Sequence, residues 1–167
     1  DIGEEKRLYE DLSRAKQFLT ETGKMARVGG WEVDLRTNTV MWTSVTKMIH
    51  EVPEDYAPTV EEALDFFPDS RDEIESAVIK ARDEGVPYDL EIPFVTAKGK
   101  HLWTRTIGKS EFRNGRCVRL YGTFQDITEQ KKKENQLYAI IDQSPVPTAV
   151  GGIDGSVRSF NRALEEM

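Results

Sequence analysis

An α+β fold built on one antiparallel sheet follows from three features of the sequence. A pair of short alternating strands sits just after residue 28, and three longer ones with tight polar turns fill residues 88–126. The stretch between the two blocks carries only helical spacing. Two strands and three strands of this pattern make a single sheet, and the helices between them close one of its faces.

Residues 4–27 read as a helix, with Leu8, Leu12, Ala15, Leu19, Thr22 and Ala26 at alternating four- and three-residue steps. That spacing forms an a/d seam about three heptads long, which suits either a coiled-coil dimer or one amphipathic helix on its own domain. Gly29 and Gly30 stop the helix. Trp31, Val33 and Leu35 then alternate with Glu32 and Asp34, Arg36, Thr37 and Asn38 turn the chain, and 39–42 reads as the returning strand. Val45, Met48 and Ile49 make a short apolar helical face. Pro53 and Pro58 punctuate a loop, and Thr59 with Glu62 spells a capping box. Asp69 is placed to cap the next helix, where Ile74, Ala77, Val78 and Ala81 recur at helical spacing until Gly85.

The strand block begins with Tyr88, Leu90, Ile92 and Phe94 in alternation. A turn at 97–100 leads to a strand at 101–112, and Asn114-Gly115, the strongest short turn signal, leads to another at 117–126. Residues 128–143 are charged and helical, with Leu137, Ile140 and Ile141 as their apolar positions.

Composition removes several function classes. The formal charge is −7, from 23 basic and 30 acidic side chains, so no basic face for nucleic acid is expected. A single cysteine, Cys117, excludes an intrachain disulfide. No apolar run approaches the ~18 residues of a membrane span, so this stretch is expected to be cytoplasmic, in a parent that could be anchored elsewhere. No phosphate-cradling glycine loop, metal-ligand cluster or acid–base pair in a fixed pattern is present, and no catalytic residue is assigned.

The residues that identify a family lie at both ends of the sheet. Gly30 to Leu35 followed by Val40-Met41-Trp42 resembles the opening hairpin of PAS domains. Leu102-Trp103 and the run Gly122-Thr123-Phe124-Gln125-Asp126-Ile127-Thr128 resemble its closing strands, the PAC motif. The resemblance covers about residues 26–130. It implies a five-stranded antiparallel sheet with short helices on one face, a space that can hold a small ligand, and flanking signalling helices that mediate dimers. It places the chain in a signal-transduction protein of the two-component type, with a sensor histidine kinase as the expected parent and a downstream signalling domain in the same chain.

Shifting the sequence by 118 positions lays Ser144 to Phe160 over Ala26 to Trp42. The expected division is therefore an N-terminal helix at 1–27, a PAS domain at 28–127, a helical linker at 128–143 and the start of a second PAS domain at 144–167.

Strand alternation and the family pattern together choose the inward side chains. Leu90, Ile92 and Phe94, Thr104 and Thr106, and Leu120, Gly122 and Phe124 come from the three strands; Ile49, Leu64 and Val78 come from the helices. These are the expected ligand pocket, or else plain core. The two threonines are the polar exceptions and want partners, either a ligand or nearby backbone. Trp103, Arg105 and Ile107 fall on the outer face, covered by the N-terminal helix or by a second subunit.

No cofactor is expected. Haem PAS domains place a histidine on the helix before the three-strand block, and 69–84 has none; His50 and His101 read as ordinary surface histidines. Photoreactive flavin domains need a helical cysteine, whereas Cys117 opens a strand. Asp126, Ile127 and Thr128 join sheet to linker and are the expected signal-coupling segment, while Leu8, Leu12, Ala15 and Leu19 are the expected homodimer seam. The function expected from these residues is a sensory and dimerisation module, not an enzyme. The alternative is a ligand-free interaction and relay module.

Overall fold

The structure, a computed structural model, describes residues 1–142 and the backbone of 149–151 and 157–160. It divides into two compact units, Asp1–Ile127 and Thr128–Met167.

The first unit opens with helix α1 (Ile2–Ala26), whose N-terminus is capped by the Asp1 carboxylate. At 1.5 Å per residue it is about 37 Å long. Arg27 ends it in the left-handed conformation, φ 53°, and its backbone N–H closes onto the carbonyls of Gly23 and Lys24. Only its last turns meet the domain, resting on the first strand and the helix that follows. Leu8, Leu12, Phe18 and Leu19 are all exposed.

Strands β1 (Val28–Asp34) and β2 (Thr39–Trp42) form the first hairpin. Asn38 takes a positive φ of 54° in the turn, a conformation that Asn tolerates better than most residues. Helix α2 (Ser44–His50) then lies directly on β1. A Cβ at Gly29 would stand 2.1 Å from Thr46 Oγ1, so this close approach requires glycine. Thr46 uses the closeness to donate its hydroxyl to Gly30 O at 2.8 Å. Helix α3 (Val60–Leu64) carries the capping box read from the sequence, with Thr59 and Glu62 bonded reciprocally at 2.8 and 3.2 Å.

Helix α4 (Arg71–Glu84) is preceded by Ser70, not Asp69. The reason is tertiary: the Ser70 hydroxyl donates to Pro93 O at 3.2 Å and ties the helix start to the sheet. Gly85 closes α4 at φ 73°, as expected.

Strands β3 (Tyr88–Val95), β4 (His101–Arg113) and β5 (Arg116–Asp126) complete the sheet in the order β2-β1-β5-β4-β3, antiparallel throughout. The β4–β5 turn has positive φ at both Asn114 and Gly115, the type I′ geometry that matches strand twist. β5 lies at the centre because it pairs both with β1 from the first block and with β4 from its own. The helices α2, α3 and α4 cover one face, with Ile49, Phe67, Ile74, Ile92, Phe94 and Phe124 at the centre of the core. On the other face Trp103 is 41% exposed. Arg105 and Ile107 beside it are half-buried, and Arg105 pairs with Asp89 across the strands.

The second unit contains α5 (Thr128–Asp142), with no buried residue and with Leu137 and Ile140 exposed. It also contains a hairpin of β6 (Ala149–Gly151) and β7 (Val157–Phe160). Its pairs Ala149↔Phe160 and Val150↔Ser159 lie 118 positions beyond Trp31↔Trp42 and Glu32↔Met41. The last residue of the expected linker, 143, and the rest of the expected second domain, 144–148, 152–156 and 161–167, lie outside the described residues.

Candidate functional site

A cavity of about 260 Å³ lies between the sheet and its helices. Trp42 on β2, Trp31 on β1 and Tyr88 on β3 line it from one cross-strand row, which continues in register through Gly122 on β5 and Gly108 on β4. Of the two central glycines, Gly108 leaves room for an aromatic ring beside it. A Cβ at Gly108 would fall 2.2 Å from the Tyr88 ring. Trp31 and Tyr88 lie parallel to within 16°, with centroids 6.4 Å apart. Val33, Leu35, Leu120 and Phe124 extend the wall on the sheet side, and Leu64, Phe67 and Val78 extend it on the helix side.

Of the pocket residues chosen from sequence, Leu64, Val78, Thr106, Leu120 and Phe124 line this cavity. Ile49, Ile92 and Phe94 are fully buried core, and Leu90 is half-buried against it. Thr104 is fully buried too, and its hydroxyl donates to Ile92 O at 3.2 Å, the backbone alternative to a ligand. Gly122 is not a wall residue: a Cβ there would stand 1.7 Å from Ile107 O, so the glycine serves strand approach.

Trp31, Trp42, His50, Phe67 and Tyr88 are lining residues that the sequence reading did not assign. The signal for Trp31 was available, since it shares the period-two face of Val33 and Leu35, both of which also line the cavity. His50 is a correction. It is not a surface histidine but 3% exposed, because α2 buries Val45, Thr46, Ile49 and His50 as one wide stripe. Its ring packs 4.0 Å from Trp42 and within 4.8 Å of Phe66, Phe94 and Phe124. Nδ1 lies 2.7 Å from Thr46 O. A carbonyl oxygen can only accept, so Nδ1 carries the proton. Burial lowers the His50 pKa to about 4, against the smaller opposing effect of that bond. The ring is therefore neutral at pH 7, with Nε2 a bare acceptor. Tyr88 is pushed well above the usual phenol range by burial, partly offset by its hydrogen bond with Thr106. His101 is exposed.

At the far end of β5, Asp126 is 8% exposed, and its Oδ2 receives the Arg27 guanidinium at 2.9 Å from Nε and 2.6 Å from the terminal nitrogen. The backbones add a bond from Asp126 N to Arg27 O at 3.1 Å, and Ile127 N bonds Trp103 O at 2.9 Å. The expected coupling residue thus grips the end of α1, a partner that no local sequence signal announced. Ile127 is buried, and Thr128 begins α5.

These residues do not fit a thiol-dependent flavin photocycle. Cys117 is a strand residue packed with Ala81 and Leu120 in a separate cluster and is not among those lining the cavity. The position on α4 where a haem ligand is expected has no histidine. No group of three metal-ligating side chains occurs among the described residues.

No protein-family model matches the chain. The chain is similar to the sensor protein FixL of Bradyrhizobium diazoefficiens, 25% identical over 149 residues, which is 84% of this chain and 30% of FixL. It therefore spans under a third of that relative. Its fold resembles a sensory box histidine kinase/response regulator from Burkholderia thailandensis, with a TM-score of 0.57 and 23% identity over 73% of this chain and 93% of that one. It also resembles the N-terminal domain of a diguanylate cyclase with PAS/PAC sensor from Marinobacter aquaeolei, with a TM-score of 0.57 and 16% identity over 62% of this chain and 98% of that one.

Proposed function

Because residues 28–127 have the PAS fold, we propose that they form a sensory and dimerisation module of a multi-domain signalling protein, with a sensor histidine kinase as parent. The observation that carries this reading is the course of β5. Leu120 and Phe124 line the cavity, and Asp126, at the end of the same strand, holds Arg27 at the end of α1. One residue later the chain starts α5. A small ligand that shifts β5 would therefore act on the incoming helix through an ion pair and on the outgoing helix through the chain itself. Strands in a packed sheet transmit such shifts because close-packed cores deform little.

The module binds and relays, and catalysis belongs to the parent. Dimerisation uses the seam of Leu8, Leu12, Ala15 and Leu19 on α1, all of which are exposed. Among the described residues no helix is long and apolar enough to cross a membrane, which accords with a cytoplasmic module whether or not the parent has an anchor.

Native mass spectrometry of the freshly purified chain, with its denatured mass as control, tests both parts. A dimer carrying a reproducible extra mass supports the sensor reading. A bare dimer that Leu12→Glu with Leu19→Glu converts to monomer supports a ligand-free relay instead. A bare monomer at micromolar concentration overturns the proposal.

A further inference from the structure

Resting on the reading of the cavity as a ligand site, we infer that its ligand is a small, neutral aromatic molecule bearing one O–H or N–H donor, of the phenol or indole class, which donates to His50 Nε2.

Size sets the first limit. An apolar cavity of about 150 Å³ accommodates benzene, so about 260 Å³ suits one ring with substituents or two fused rings. The walls set the second. Trp31 and Tyr88 present parallel faces, and Trp42, Phe67 and Phe124 supply further aromatic surface. Flat π-systems gain from such neighbours beyond simple area burial.

Charge sets the third limit. Among the described residues no carboxylate lines the cavity, so a cationic ligand would find no ion-pair partner there. Among the described lining residues the one cation, Arg82, has a half-exposed side chain whose guanidinium is held by Asp83 at 2.6 and 2.9 Å. An ionised ligand inside would lose its hydration without a buried partner, which is costly.

Polarity sets the fourth. Thr46 spends its hydroxyl on Gly30 O, and Thr106 bonds Tyr88. His50 differs. It is 3% exposed and lines the cavity, and its Nδ1–H is committed to Thr46 O. Its Nε2 has no protein partner, yet no buried side-chain nitrogen or oxygen among the described residues is both sealed off and unpaired. Nε2 is therefore open to the cavity. It can only accept, so the ligand must donate. The low pKa that burial imposes on the ring keeps this lone pair free at neutral pH.

The test compares phenol and indole with toluene, which matches phenol in shape but lacks the donor, and with benzoate, which carries charge. Calorimetry on the 167-residue chain reads affinity, and long-range nitrogen NMR reads His50 Nε2. Phenol or indole is expected to bind roughly two- to ten-fold tighter than toluene, the ratio one neutral hydrogen bond supplies. It should also move the Nε2 resonance toward that of a hydrogen-bonded nitrogen, which toluene should not do. His50→Phe should keep toluene binding and abolish the preference. The NMR shift on the unaltered protein decides the matter if that variant does not fold. Equal binding of phenol and toluene with Nε2 unmoved, or tighter binding of benzoate, overturns the ligand class and leaves the cavity reading intact. Failure of all four probes to bind overturns this inference; the native mass measurement, which uses no added probe, then decides the cavity reading separately.

Discussion

Lowering the pH from 7 to 4 should destabilise this domain through one side chain, His50. Its pKa is 6.5 unperturbed and about 4 in the fold, where burial opposes the charged form. Between those values the unfolded chain takes up a proton that the native state refuses. The unfolded state binds more protons, so stability falls as pH falls. The slope approaches 1.4 kcal/mol per pH unit well inside the window, and the total loss is about 3 kcal/mol by pH 4. That is a large share of the 5–15 kcal/mol typical of a domain. Urea unfolding at pH 7.0, 6.0, 5.0 and 4.5 measures the slope. His50→Asn, which can still donate an N–H to Thr46 O but cannot titrate, should flatten it. The carboxylates contribute in a lower window: Asp34 is held at about 2 by the Arg36 guanidinium, and Asp83, Asp89 and Glu111 are lowered by arginine hydrogen bonds. Their stabilisation is fully present only above the unperturbed values, 3.8 for the aspartates and 4.5 for Glu111, and is lost as pH falls below them. A wild-type profile that is flat between pH 6.5 and 4.5, or one that His50→Asn reproduces, would refute the burial of His50 among aromatic rings.

Three further outcomes follow. Asp126→Ala and Arg27→Ala should each cost about 1–2 kcal/mol, since one partner is buried and the other half-exposed, and a double-mutant cycle by urea denaturation should return a coupling of about 1 kcal/mol; zero coupling would remove the ion pair as a link between β5 and α1, leaving the backbone bond alone. Gly29→Ala should cost more than about 3 kcal/mol, because the new methyl meets Thr46 backbone at 2.5 Å, while Gly115→Ala, with open space but φ 74°, should cost only about 1 kcal/mol; thermal melts of the pair rank them. Phe124→Ala should cost about 3–5 kcal/mol by enlarging the cavity at the centre of the sheet, and a loss under 1 kcal/mol would mean that the site collapses freely.

The distinction between core and cavity shows where sequence reading reached its limit. Alternation placed Ile92, Phe94, Thr104, Thr106, Leu120 and Phe124 on one sheet face, and all six are buried there. Which of them borders empty space depends on how far the helices stand from the sheet, and no strand period encodes that distance. Thr104 and Thr106 are two residues apart on one strand, yet one is spent on Ile92 O and the other reaches the cavity.

Local chemistry, acting over a few residues, made the rest readable in the sequence. Strand alternation, the Asn114-Gly115 turn, the Thr59–Glu62 box and the stop at Gly85 were legible because backbone sterics and near-neighbour hydrogen bonds decide them. The PAS resemblance lay in short motifs at the two ends of the sheet. Only the tertiary structure could bury His50, since a seven-residue helix with one histidine at its end reads the same on a surface as in a core. Only it could bring Arg27 to Asp126, 99 positions apart in the chain. Pairings at that range arise from sheet order, with β5 drawn between β1 and β4, and order is settled by the packing of the whole sheet rather than by any one of its strands.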